Sequence, residues 1–317
     1  MKIKRLITEP ARHAAMLALR PIERWLLDES APVPAPVFVV GAPRSGTSLL
    51  YELLVTHARF AYISNLAHRL YLTPAAATRL GRRRLNRWSG TLSSAYGHIG
   101  GWGAPNEGGW VWRRWTPEDG ELGPEHAETF CADEMVRTVA AIARVMNAPF
   151  LNKNVMHGAH IRLLASLYPG AVFIHITRDT ADNARSIYRA RQDTGDTAEW
   201  ISVRPRGWEE HAHRHPAAQV VAQVELINQM ISDDTCSAGT PRVVLTYEDL
   251  CAAPEETVSR VVRELGQHGV ATERRCAAPE SLSRSVSRAL DDDAEDELQS
   301  ALGAWASNSP RMKANAG

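Results

Sequence analysis

The run Val37-Phe38-Val39-Val40 leads directly into Gly41-Ala42-Pro43-Arg44-Ser45-Gly46-Thr47-Ser48, and apolar residues at helical spacing (Leu49, Leu50, Leu53, Leu54) follow at once. A strand, a glycine-flanked loop and a helix in immediate succession point several backbone N–H groups and a helix N-terminus at a single anion. The two glycines allow a tight turn and a close approach of backbone to phosphate. The loop nearly spells the phosphate-loop motif GxxxxGK[ST], but Thr47 stands where the lysine belongs and Arg44 brings the positive charge instead.

Downstream, short apolar runs alternate with helical patterns. Strands are expected over 59–64, 149–152 (ending at Lys153), 171–177 and 242–246, the last closed by Tyr247-Glu248-Asp249-Leu250. Helices are expected over 67–88, 125–147, 160–168, 181–191, 217–232 and 254–266. That alternation predicts an α/β fold of three layers, a central parallel sheet flanked by helices, of P-loop-like type. The 317 residues are read as one domain: a helix and stiff Pro/Ala linker over 1–35, an irregular Trp/Gly-rich acceptor loop over 89–116, and a closing segment over 267–317.

Composition removes several classes of function. Lysine plus arginine and aspartate plus glutamate balance at 36 each, so no bulk charge points to nucleic acid, and an anion site has to be local. The four cysteines fall in no metal-ligand or disulfide spacing, which favours a reducing cytoplasm. His211, His213 and His215 alternate but lack a partner cluster, so no metal is expected. The N-terminal helix is broken by Arg5, Arg12, His13, Arg20 and Glu23 and is no membrane span. It packs on the domain, or touches a membrane peripherally through its basic face. Arg79, Arg82, Arg83, Arg84 and Arg87 crowd one helix, as a solvated face or as a collar for an anionic acceptor. Trp88, Trp102, Trp110, Trp112 and Trp115 lie in or beside the irregular stretch, either stacking on an acceptor or anchoring the loop.

Ligands of open α/β sheets bind beyond the carboxyl ends of the strands. Three such ends carry polar groups here: the 41–48 loop, Lys153, and Arg178 with Ser186 eight residues on. The arginine and the hydroxyl are spaced to grip one phosphate from two sides.

With these residues assembled, the chain resembles the sulfotransferase family. The 41–48 sequence is similar to that family's 5′-phosphosulfate loop, with Arg44, Ser45, Gly46, Thr47 and Ser48 as its binding residues. Arg178 and Ser186 match the 3′-phosphate pair in type and spacing, and Lys153 matches the catalytic lysine. Val243-Val244-Leu245-Thr246-Tyr247-Glu248-Asp249-Leu250 resembles the later strand–helix unit, and Tyr247 is counted with the nucleotide site. The resemblance implies a transferase that moves a sulfuryl group from PAPS (3′-phosphoadenosine 5′-phosphosulfate), releasing PAP, to a hydroxyl or amine of a glycan, lipid or small-molecule acceptor. It requires no metal.

Two family features are missing. Protein-tyrosine sulfotransferases, whose loop is very close, carry a glutamate base after the second strand, where this chain has Ile63-Ser64-Asn65-Leu66. The Arg-Lys-Gly tail motif is also absent; Arg284 and Arg288 take its place over the nucleotide, or 281–288 is an ordinary surface loop. For the base, Glu107 is the first choice and His157 the second, each set against a structural role as a salt-bridge or core residue. Two other readings stay open: a P-loop-type kinase or NTPase, against which Thr47 counts, and a non-catalytic nucleotide-binding module.

Overall fold

The computed structural model describes residues 2–85, 88, 90, 99–117, 120–128 and 131–308, with side chains from residue 9 to residue 307. Strand β1 (Val37–Val40) is buried at every position and lies between β2 (Leu151–Lys153) and β3 (Val172–Thr177). β4 (Arg242–Thr246) extends the sheet beyond β3, giving the order β2-β1-β3-β4 with every pair parallel. Coverage on both faces explains the unbroken apolar runs Val-Phe-Val-Val and Val-Phe-Ile-His-Ile.

In chain order the helices are α1 (Lys2–Asp28), α2 (Thr47–His57), α3 (Asn65–Arg69), α4 (Pro74–Leu85), α5 (Gly109–Trp112) and α6 (Ala132–Met146). They continue with α7 (Ile161–Leu167), α8 (Thr180–Thr194), α9 (Pro216–Ser237), α10 (Tyr247–Ala252), α11 (Pro254–Gln267) and α12 (Asp292–Asn308). α8 and α12 pack on α9, while α1 and α6 pack on α4. Buried apolar side chains form one contiguous cluster running from Leu26 to Leu298.

Four local expectations need correction. The 59–64 segment is no strand: Ala61 makes a single parallel bridge to Phe150, on the outer edge of β2. The Ser64 hydroxyl then turns inward to cap α3 by accepting from the Ala67 N–H. The 67–88 helix is two helices, because Pro74 has no N–H to continue α3 and instead opens α4. The buried carboxylate of Glu23 on α1 accepts from the Ala75 and Ala76 N–H groups at that start. The 125–147 helix begins only at Ala132, after a 3₁₀ turn over Pro124–His126. Thr246 ends β4 and caps α10 with its hydroxyl, so Tyr247 opens a helix and does not close the strand. Arg87, residues 91–98 of the tryptophan-rich stretch and residues 309–317 of the closing segment lie outside the described residues.

Candidate active site

The chain continues from β1 to β2 on one side and from β3 to β4 on the other, so the switch point at which ligands of such sheets bind lies beyond the carboxyl ends of β1 and β3. The 41–48 loop leaves β1 there and Arg178 leaves β3. Gly41 is required by proximity: a Cβ at this position would stand 2.4 Å from the Ile176 carbonyl oxygen. Gly46 is required twice, by a left-handed φ of 97° and by the Tyr247 ring, which a Cβ would approach to 2.5 Å. Arg44 also adopts a left-handed backbone, with φ 67°, a conformation uncommon outside glycine.

The Arg44 carbonyl accepts from Arg178 Nη1 at 3.2 Å, and its Nε–H donates to the Ser186 hydroxyl at 3.1 Å. Arg44 therefore stands between the two residues expected to grip one phosphate. Arg178 is buried, lies with its guanidinium 4.7 Å from the Tyr247 ring centre, and donates from Nη2 to the Ser285 carbonyl at 2.5 Å. The Tyr247 hydroxyl accepts from the Ser285 N–H. The 281–288 segment thus folds against this end of the site. Arg284 reaches Asp182 at 3.1 Å and Glu248 at 3.3 Å. Arg288 supplies only its backbone carbonyl, to Arg189, and its side chain is exposed.

Among the described residues, the Ser45 hydroxyl in the loop and Arg178 Nε at the end of β3 are buried without a partner. An unsatisfied buried donor costs about 1–3 kcal/mol. A ligand with an acidic group at each end would satisfy both. Thr47 is buried at the first turn of α2, beside the half-buried Ser48, so backbone N–H groups of the helix start face the same space.

Lys153, at the end of β2, pairs with Val39 two residues ahead of Gly41. Its Nζ lies 2.5 Å from Glu107 Oε1, and the lysine is almost wholly buried. Glu107 arrives here because the tryptophan-rich stretch is pinned to 61–66. Ser64 bridges Pro105, Asn106 donates to Asn65 at 2.6 Å, and the Asn106 N–H donates to the Ile63 carbonyl. The stretch then anchors through Trp112 and Trp115, both buried, while Trp102 and Trp110 stay exposed.

His157 is buried between the Phe38 and Trp112 rings. Trp112 Nε1 can only donate, and it donates to Asn152 Oδ1 at 2.9 Å; this fixes the amide orientation. His157 Nε2 reaches the same oxygen at 2.9 Å, so that nitrogen carries the proton. Burial, helped by His160 and Lys153, holds the ring's pKa well below the ordinary histidine value. The imidazole is neutral and serves as an anchor of the wall.

Beyond Glu107 opens a cleft of about 540 Å³, of the size that takes small ligands. Its far wall comes from a stretch in which sequence reasoning placed no site residue: Glu199, Trp200, Ser202 and Arg204. That wall is fastened from behind by Arg191, fully buried, which donates to Gln219 at 2.8 Å, Gln223 at 3.0 Å and the Thr197 carbonyl at 3.2 Å. Gln223 in turn donates to the Ile201 and Val203 carbonyls. Burial lowers the Arg191 pKa to about 10, which leaves it charged near neutrality. One signal was legible beforehand: two tryptophans, Trp200 and Trp208, in a polar, proline-containing stretch, and their rings pack edge to face.

Among the described residues no three His, Cys, Asp or Glu side chains converge as a metal site needs. His211 packs against Trp305, and His215 caps α9 by accepting from the Ala217 N–H.

A family model described as the sulfotransferase family matches residues 36–268. The chain belongs to the sulfotransferase family. As a sulfotransferase it is a member of a family of PAPS-dependent enzymes. Among solved structures it is similar to sulfotransferase STF9 from Mycobacterium avium, at 16% identity over 91% of this chain and 72% of that one, with a TM-score of 0.49. It is also similar to STF1 from Mycobacterium tuberculosis H37Rv, at 14% identity over 91% and 75%, TM-score 0.46. A third is the sulfotransferase domain from the curacin biosynthetic pathway, at 12% identity over 84% and 83%, TM-score 0.43. No protein with a curated description matches the chain.

Proposed function

We propose that this sulfotransferase binds PAPS across the β1/β3 crevice and transfers its sulfuryl group to a hydroxyl or amine of an acceptor seated in the cleft beyond Glu107. The observation that carries the reading is the Lys153–Glu107 pair, 2.5 Å apart, where the cleft meets the end of β2 beside β1. PAPS supplies a sulfuryl group already activated by its phosphoanhydride. The chain's own task is therefore positioning and charge stabilisation.

In this reading the 41–48 loop holds the 5′-phosphosulfate through backbone N–H groups, the Ser45, Thr47 and Ser48 hydroxyls and Arg44. Arg178, Ser186 and Tyr247 hold the 3′-phosphate end, with Arg284 closing over it. Arg288, turned to solvent, is left to contact the ligand only through the segment it belongs to. The Lys153 ammonium stabilises the charge that develops on the bridging oxygen as the 5′-phosphate departs. The Glu107 carboxylate accepts the acceptor's proton; its pairing with Lys153 keeps the carboxylate aimed at the mouth of the cleft. His157, the second choice for the base, has Nε2 committed to Asn152 and in this reading positions Trp112 and the cleft wall, leaving the role of base to Glu107.

The acceptor class is a small molecule, a glycan terminus or a lipid headgroup small enough for the cleft. A transfer assay with labelled PAPS against a panel of these three classes tests the proposal. Label should pass to at least one class without added metal. Failure with all of them, while PAP binds, would contradict the assigned acceptor cleft.

A further inference from the structure

The outer face of α1 is apolar where a surface helix is ordinarily polar. Ala14, Leu17, Ala18, Pro21, Ile22 and Trp25 recur at helical spacing on the side away from the core, which is met by Met16, Glu23, Leu26 and Leu27. Leu17 is 59% exposed and Trp25 60%. On α4, packed beside it, Leu80 is 64% exposed. Leu80 and the exposed Trp102 line one shallow groove with Arg84.

Arginines surround this apolar surface. The Arg79 guanidinium lies 5.4 Å from the centre of the Trp25 ring, and Arg69 lies 5.8 Å from that of Trp102. Arg20, Arg24, Arg82, Arg83 and Arg84 are exposed nearby. α3 and α4 contain no acidic residue. The acids of α1 are engaged elsewhere: Glu9 with Arg12, Glu23 as the buried cap of α4, and Asp28 with Arg137. No helix among the described residues is long and apolar enough to cross a membrane.

We propose that the α1/α4 face docks the enzyme on an anionic membrane surface, with Leu17, Ile22, Trp25 and Leu80 entering the interface and the arginines meeting acidic headgroups. Apolar side chains ringed by arginine, without a single free acid, are what an interfacial surface requires. A symmetric contact between two copies through the same face would instead oppose arginine to arginine. The contact differs from the one expected from sequence. The exposed apolar stripe of α1 leads, and its basic flank assists.

The test is sedimentation of the full chain with vesicles of phosphatidylcholine alone or with roughly 30% phosphatidylglycerol. Binding is expected only to the anionic vesicles, and it should weaken as salt rises. Leu17→Ser with Trp25→Ser should weaken it at least about tenfold by removing buried apolar area. Arg79→Ala and Arg83→Ala should weaken it by about fivefold each. Circular dichroism should be unchanged in all of them, since these side chains are exposed. Absence of binding to anionic vesicles at low salt, or binding untouched by both pairs of substitutions, would overturn the proposal. So would a dimer in solution that the Leu17→Ser, Trp25→Ser variant dissociates, because the face would then be a contact between copies.

Discussion

Arg44 Nε donates to the Ser186 hydroxyl at 3.1 Å while the Arg44 carbonyl accepts from Arg178 at 3.2 Å. A loop after β1, the end of β3 and the body of α8 are joined through one residue held in a left-handed backbone conformation. The two ends of the crevice are thus mechanically connected before any ligand enters.

Arg178→Ala should weaken PAP binding by about 1.5–3 kcal/mol, the range for a hydrogen bond to a charged group. It also releases the Arg44 and Ser285 carbonyls. Ser186→Ala should cost less, about 0.5–1.5 kcal/mol, because the hydroxyl is neutral. Calorimetric titration with PAP checks both. Unchanged affinity in Arg178→Ala would remove it from the 3′-phosphate site.

Lys153→Ala should lower turnover by roughly 10²–10³ while PAP affinity largely survives. Glu107→Gln should lower turnover by about 10²–10⁴ and abolish the acidic limb of the pH–rate profile. His157→Gln should leave that limb in place, since the ring is already neutral and its Nε2 is bound to Asn152. If His157→Gln removes the limb and Glu107→Gln does not, the assignment of the base is reversed.

Arg191→Met removes the clamp behind the cleft wall. The acceptor KM should rise about tenfold or more and the melting temperature should fall, since Gln219 and Gln223 lose a buried charged partner. PAP affinity should hold, because the clamp touches neither phosphate anchor. A parallel loss of PAP affinity would show that Arg191 supports the fold generally and not the acceptor wall.

Stability should rise as pH increases from about 4 to 6.5. Burial pushes His160 and His175 down to about 4, and His157 well down. The unfolded chain takes up protons on these rings near pH 6.5 and the folded chain does not. Their contribution is therefore full above that pH and lost as pH falls toward 4, roughly 3 kcal/mol for a ring shifted this far. Glu23 opposes them. Burial raises its carboxyl to about 7, so its contribution is full below about 4.5 and lost as pH rises through 7. Three rings outweigh one carboxyl. Urea midpoints measured near pH 5 and pH 6.5 check this, and Glu23→Gln should steepen the rise. A midpoint that falls over this interval would contradict it.

The residues that were legible in sequence are those whose neighbours in the chain dictate their place. β1 and its loop, Arg178 at the end of β3 and the 242–246 strand follow from unbroken apolar runs that only a sheet covered on both faces can bury. Tertiary contacts fixed the remainder. Glu107 meets Lys153 only because Asn65, Ser64 and Ile63 hold the stretch around Asn106. The wall of the cleft beyond Glu107 depends on Arg191, a residue whose charge argues for solvent until Gln219 and Gln223 enclose it. The 59–64 run has strand composition, but Ser64 turns away to cap α3, so two isolated bridges, Ala61 to Phe150 and Ser64 to Pro105, form where a ladder was expected. The apolar outer face of α1 was present in the spacing of Leu17, Ile22 and Trp25, yet which face turns outward is decided by Glu23 capping α4.

In the proposed function, the 41–48 loop and Arg178 together measure two acidic groups on one nucleotide. Titration calorimetry is the test: PAP and the 5′-phosphosulfate that lacks the 3′-phosphate are each titrated without metal, and Mg·ATP is titrated separately with its magnesium. PAP should bind roughly 10–150-fold more tightly than either, the equivalent of one charged hydrogen-bonded anchor. Equal affinity for the compound lacking the 3′-phosphate, or a preference for Mg·ATP, would contradict it.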